Sequence, residues 1–116
     1  AVATSTLTLQ AERSLEIAQL KIHFRNIIGG DQVKNGKPAP DIFLKAASKL
    51  NTSSNKCLAV EDSAIGIKSA AAAEMITLLV PDTVCPDQKT LELANYVVPS
   101  TEIACRVIKA MFESKP

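Results

Sequence analysis

Two tracts carry the residues best suited to chemistry: Gly36-Lys37-Pro38-Ala39-Pro40-Asp41 and Leu58-Ala59-Val60-Glu61-Asp62-Ser63-Ala64-Ile65-Gly66. In the first, Pro38 and Pro40 stiffen the backbone after Lys37 and keep it out of a helix interior. A lysine on such a turn is a point charge for an anionic oxygen. In the second, two adjacent carboxylates close an apolar run. The backbone turns there, so one or both can face a hard cation such as Mg2+. Asp62 or Ser63 also suits the N-cap of a helix opening near Ala64, and a helix start is itself a favourable place for an anion. Thr4 follows the apolar run Ala1-Val2-Ala3 and offers a hydroxyl and the backbone N–H groups behind it. A cation, a carboxylate pair and a hydroxyl are the polar parts of a phosphoryl-transfer site. Taken singly, each has a plainer reading: a solvated lysine, a helix cap, a turn threonine. No nucleophile with a matching base stands out.

The remaining candidates say less. Gly29-Gly30-Asp31 reads as a turn, with Asp31 as a metal ligand the minority option. His23 has no neighbouring Cys or His at metal spacing and reads as surface or partly buried structure. Gly66 suits close helix packing, and the alanines at 70–73 suit helix propensity. Cys57, Cys85 and Cys105 are an odd set without a CxxC, as expected of reduced thiols in a cytoplasmic protein.

These residues need a scaffold that one domain of 116 residues, 47% of them apolar, is large enough to supply. The net charge is +1 with no basic stripe, which argues against nucleic acid as the main partner. With three Phe, one Tyr and no Trp, stacking on bases or sugars is not expected. No apolar run reaches the ~20 residues of a membrane span.

Short apolar strands alternate with amphipathic helices. After the strand at residues 1–3, a helix is expected over 9–20, with apolar positions 11, 15, 17, 18 and 20, then a short segment at 26–28 stopped by Gly29-Gly30. A helix over 41–50 places Ile42, Phe43, Ala46, Ala47 and Leu50 on one face. Residues 57–60 read as a fully buried strand, 64–73 as a helix and 75–80 as a second buried strand. A helix over 88–94, a strand over 96–98 and a helix over 101–112, capped by Ser100 or Thr101, complete the chain. The pattern predicts an α/β, doubly wound, Rossmann-like parallel sheet with helices on both faces. In such sheets the site lies at the carboxyl ends of the strands, where Thr4-Ser5-Thr6 and Glu61-Asp62 fall.

Taken in this order, the motifs resemble those of the haloacid dehalogenase-like superfamily, in the branch with phosphoglycolate phosphatases and β-phosphoglucomutases. Ala1-Val2-Ala3-Thr4-Ser5 is similar to the second family motif, and Gly36 to Phe43 to the third with its lysine. Val60-Glu61-Asp62-Ser63-Ala64-Ile65-Gly66-Ile67 is similar to the acidic fourth. The resemblance implies Mg2+-dependent hydrolysis of a small phosphorylated metabolite through an aspartyl-phosphate. It makes Thr4 and Ser5 phosphate contacts, Lys37 a catalytic cation and Asp62, with Glu61, the metal ligands. Removal of Lys37 is expected to cost rate rather than fold.

The first family motif, Asp-x-Asp, is absent from these residues, as is the inserted helical cap. Residues 1–116 therefore resemble the C-terminal portion of such a core, expected to be inactive without an N-terminal segment or a companion chain. In the family, the Asp-x-Asp strand lies between the strands that would here end at Thr4 and Glu61. Without it, the strands at Val2 and Ala59 are expected to need that missing partner, or to pair with each other or with a second copy. Ser5-Thr6-Leu7-Thr8 lacks the lysine by which the mutases hold a sugar phosphate, which favours a phosphatase over a phosphosugar mutase. The rival from another class is a non-catalytic regulatory or interaction module on the same scaffold. A two-component receiver is disfavoured, because receivers carry the acidic pair first and the lysine last.

Overall fold

A computed structural model describes residues 1–114 of the chain. The elements run β1 (Val2–Ala3), α1 (Thr8–Ile17), β2 (Ile27–Ile28), α2 (Asp41–Lys49), β3 (Leu58–Glu61), α3 (Ala64–Ala72), β4 (Ile76–Leu79), α4 (Gln88–Leu93), β5 (Tyr96–Val97) and α5 (Thr101–Glu113). All strand pairs are parallel. β1 pairs with β2 in the register Val2–Ile27, while β3 pairs with β4 and β4 with β5. The fold is α/β and doubly wound, as the alternation of apolar runs and helical periods predicts.

Two apolar clusters show how the layers assemble. One joins Ile28 of β2, Ala59 of β3, Phe43 and Ala46 of α2 and Ala70 of α3, with Ala3 of β1 against it. The other joins Leu78, Val98 and Ala104, with Leu58 of β3 and Val107 of α5 against it. Leu58 and Ala59 are neighbours on one strand, so the clusters lie on opposite faces of the sheet. Helix ends are set by local chemistry. Ser63 and Ser100 cap α3 and α5 by accepting from the N–H groups of Gly66 and Ile103. Helices α1, α2 and α3 each end on a left-handed residue, Gln19, Asn51 and Glu74. The following N–H bonds back to Leu15, Ala47 and Ala70, the pattern of a Schellman stop.

Two expectations need correction, and a third, with several alternatives, loses one of them. Helix α1 stops at Ile17, because Gln19 turns left-handed. Ile17 and Leu20 then remain 75% and 47% exposed instead of facing the core. Strand β3 is not fully buried: Ala59 is, but Val60 is 49% exposed. Strands β1 and β3 do not pair with each other; they belong to separate two- and three-stranded sheets held together by α2 and α3. A cleft of about 410 Å³ lies between them, lined by Val2, Ala3, Phe43, Ala59, Val60 and Glu61. That cleft is the physical reason Val60 is exposed.

Candidate active site

Lys37 joins the two sheets at the carboxyl end of that cleft. Its ammonium donates to the carbonyl of Ala3 at 3.3 Å and to Glu61 Oε1 at 2.7 Å. It also lies 5.1 Å from the centroid of the Phe43 ring, within cation–π range. The Lys37 and Glu61 side chains are only 12% and 11% exposed. The lysine is therefore not the freely solvated side chain its residue type alone would suggest. The loop that carries it is tethered from below: Ser69, fully buried in α3, donates its hydroxyl to the Ala39 carbonyl at 2.6 Å. At its far end, Asp41 accepts from the backbone and side-chain N–H groups of Asn35.

Glu61 occupies the last position of β3, and Gly66 lies one helical turn into α3. A Cβ on Gly66 would collide with the Glu61 carboxylate. Gly66 thus leaves room for a carboxylate resting on the helix, rather than for the helix–helix contact expected from sequence. Asp62 follows in the turn between β3 and α3 and is exposed. It lines two clefts. One, of about 380 Å³, is shared with Ser63, Pro81, Asp82 and Asp87. The other, of about 520 Å³, is shared with Glu61 and Ser100.

Thr4 leaves β1 beside Lys37. Its N–H donates to the Ile28 carbonyl at 2.9 Å, and its hydroxyl oxygen accepts from the Thr6 N–H at 3.2 Å. That hydroxyl keeps its own proton to donate. Ser5 and Thr6 are exposed in the turn before α1. The structure thus brings Thr4, Lys37 and Glu61 to one place, with Asp62 next in the chain. His23 is exposed and stands apart, as expected. The three cysteines are free thiols.

Among the described residues, no three His, Cys, Asp or Glu side chains group closely enough to hold a metal ion. One oxygen of Glu61 is committed to Lys37, and Asp62 is the carboxylate left free. A hard cation that keeps several waters and phosphate oxygens needs only one or two protein carboxylates, so Asp62 fits as one donor of such a shell and not as a cage.

Sequence reasoning missed Asp31, Gln32, Ser69 and Phe43 as residues that build this place. Asp31 accepts from both the N–H and the hydroxyl of Thr8 at 2.7 Å, and Gln32 donates to that hydroxyl at 2.8 Å. The signal available was the pair Gly29-Gly30, which marks a close approach of two backbones. Ser69 left no signal beyond a hydroxyl in an otherwise apolar helix.

The profile of the haloacid dehalogenase-like hydrolase family matches residues 1–80. The chain is 41% identical over 73 residues to the phosphorylated carbohydrates phosphatase of Thermotoga maritima, covering 63% of this chain and 34% of that protein. It is 37% identical over 75 residues to the fructose-1-phosphate phosphatase of Escherichia coli, covering 65% and 40%. Among solved structures, a putative β-phosphoglucomutase of Thermotoga maritima superposes with a TM-score of 0.81 at 33% identity, over 90% of this chain and 49% of that one. A hydrolase from Deinococcus radiodurans with bound phosphate and sodium gives 0.75 at 26% identity, over 91% and 50%. The chain thus spans about half the length of these solved structures and less of the curated relatives.

Proposed function

The chain belongs to the haloacid dehalogenase-like hydrolase family, and from that premise we propose that the intact protein is a phosphatase acting on a small phosphorylated metabolite. The observation that carries this reading is the Lys37 ammonium, which reaches both the end of β1 and the end of β3. It brings the end of β1, just ahead of Thr4, and the Glu61 carboxylate to one cation, with Asp62 next in the chain. Relatives named for phosphatase activity on phosphorylated carbohydrates, fructose 1-phosphate and pseudouridine 5'-phosphate support the substrate class.

In the proposed reaction, a carboxylate from a strand outside residues 1–116 attacks phosphorus. The ester P–O bond breaks, and the leaving oxygen takes a proton from a second carboxylic acid. Water then attacks the aspartyl-phosphate at phosphorus, returns its proton to that acid/base and releases phosphate. The Thr4 hydroxyl and the exposed Ser5 turn donate to the non-bridging oxygens. Lys37 offsets negative charge as it develops and is held by Glu61, so its position is set before substrate arrives. Asp62, with the Glu61 oxygen not bound to Lys37, would hold a Mg2+, whose charge would lower the cost of gathering anions. Leu7, 53% exposed at the start of α1, supplies no charge for a sugar phosphate, which favours hydrolysis over mutase chemistry.

The test is Mg2+-dependent hydrolysis of p-nitrophenyl phosphate by the intact protein and by Asp62→Asn. Loss of the metal-dependent rate with an unchanged melting temperature is expected, since Asp62 is exposed and makes no ion pair among the described residues. Unchanged turnover would reduce Asp62 to a residue of the α3 turn.

A further inference from the structure

Helix α1 opens immediately behind the Thr4–Thr6 turn, and the residue at its N-cap, Leu7, has no side-chain oxygen. A helix start left in this way exposes backbone donors that need acceptors. The acceptor comes instead from 23 positions along the chain, at Asp31, counted from Thr8. Asp31 Oδ1 receives the Thr8 N–H and the Thr8 hydroxyl, each at 2.7 Å. Gln32 donates to the same hydroxyl at 2.8 Å and to the Ile27 carbonyl at 3.0 Å, which ties the arrangement to β2. The Gly30 N–H donates to the Thr6 carbonyl at 2.9 Å.

Both glycines are required by this contact. A Cβ on Gly29 would strike Thr8 and Asp31, at 2.7 Å for the Asp31 oxygen, and a Cβ on Gly30 would strike the Ser5 carbonyl. The hydrogen bonds from Thr8 hold the Asp31 carboxyl below the usual aspartate range. The turn is therefore clamped at Thr4, Thr6 and Thr8, while Ser5, between Thr4 and Thr6, makes no hydrogen bond among the described residues.

The geometry points to Asp31 as a positioning residue for phosphate: it caps α1 from the far side of β2 and so fixes the Ser5 turn in the conformation that receives the anion. Asp31 itself touches neither substrate nor metal in this arrangement. It acts through Thr8, and the inference rests on the phosphatase reading of the Thr4 turn.

The experiment is a backbone amide shift titration of the intact protein with inorganic phosphate, on wild type, Asp31→Ala, Asp31→Asn and Thr8→Val. The wild type should show saturating shifts at the Ser5 and Thr6 amides. Asp31→Ala should weaken the dissociation constant about tenfold, in line with the loss of a good cap. Asp31→Asn should recover most of it, because asparagine caps nearly as well as aspartate. Thr8→Val, which removes the hydroxyl's contacts with Asp31 and Gln32 but keeps the backbone N–H on the carboxylate, should fall between and covers the case in which Asp31→Ala fails to fold. A wild type that binds phosphate on these amides, with both Asp31→Ala and Thr8→Val binding equally well, overturns the positioning role and leaves the phosphatase reading standing. A wild type whose Ser5 and Thr6 amides ignore phosphate overturns both.

Discussion

Lys37 Nζ lies 2.7 Å from Glu61 Oε1, with both side chains about nine-tenths withdrawn from solvent. The pair spans two sheets that share no backbone hydrogen bond, so it links the parts of the molecule as well as the parts of the site. Two charges at this depth are costly to separate, because either one left alone is desolvated without compensation.

This changes what removal of Lys37 should do. Sequence alone suggests a loss of rate with little loss of stability. With Glu61 as its partner, Lys37→Ala should cost on the order of 10²-fold or more in kcat and also about 3–5 kcal/mol of stability. The double variant Lys37→Met with Glu61→Gln should recover part of the stability and none of the rate. Urea unfolding and steady-state hydrolysis on the same preparations separate the two. A fully stable Lys37→Ala would mean that water reaches Glu61 once the lysine is gone.

A second prediction concerns acid. Asp87 caps α4, accepting from the Thr90 N–H at 2.8 Å and its fully buried hydroxyl at 2.6 Å. Those bonds, first the hydroxyl and then the N–H, hold the Asp87 carboxyl below its ordinary value, with Lys68 and Lys89 adding to the effect. A carboxyl whose pKa is lower folded than unfolded contributes stability above the unfolded value, about 3.9, and that stability is lost as pH falls through the folded value. Asp31 has the same sign, from Thr8. Stability should therefore be flat from neutral pH down to about pH 4 with respect to these two groups, and should fall below it. Asp87→Asn keeps a capping oxygen and does not titrate, so its stability should fall less steeply below pH 4. Equal slopes for wild type and variant in acid unfolding curves would remove Asp87 from the account.

How much of this was legible in the sequence follows from the range of each interaction. Apolar runs and helical periods are local, and they place β1 to β5 and α1 to α5 to within a few residues. The Pro-flanked lysine and the strand-end acidic pair are also local, and they mark the candidate site. What was not legible joins distant segments. Asp31 at the start of α1, Ser69 beneath Ala39 and the division of Glu61 from Asp62 each depend on which backbones the fold brings together. The exposure of Val60 belongs here too, since an apolar strand residue looks the same whether or not a neighbour covers it.

The last prediction tests how tightly the Glu61 carboxylate is held, through a residue that makes no polar contact with substrate. Gly66 lies inside α3, where alanine would normally stabilise a helix by about 1 kcal/mol over glycine. Here the added methyl would meet the Glu61 carboxylate, with Oε1 at 2.7 Å and the rest closer. That carboxylate is the end of a flexible chain, so it can swing away, but doing so pulls it from Lys37. The two effects oppose each other in stability and do not oppose each other in rate. Gly66→Ala should therefore unfold within about 2 kcal/mol of wild type, while kcat falls at least tenfold, to about a tenth or less, because the lysine is no longer held in place. Hydrolysis of p-nitrophenyl phosphate alongside urea unfolding measures both. A Gly66→Ala protein that is more stable than wild type and equally active would show that Glu61 moves aside without carrying Lys37 with it, and that the lysine is positioned by the Ala3 carbonyl and Phe43 alone.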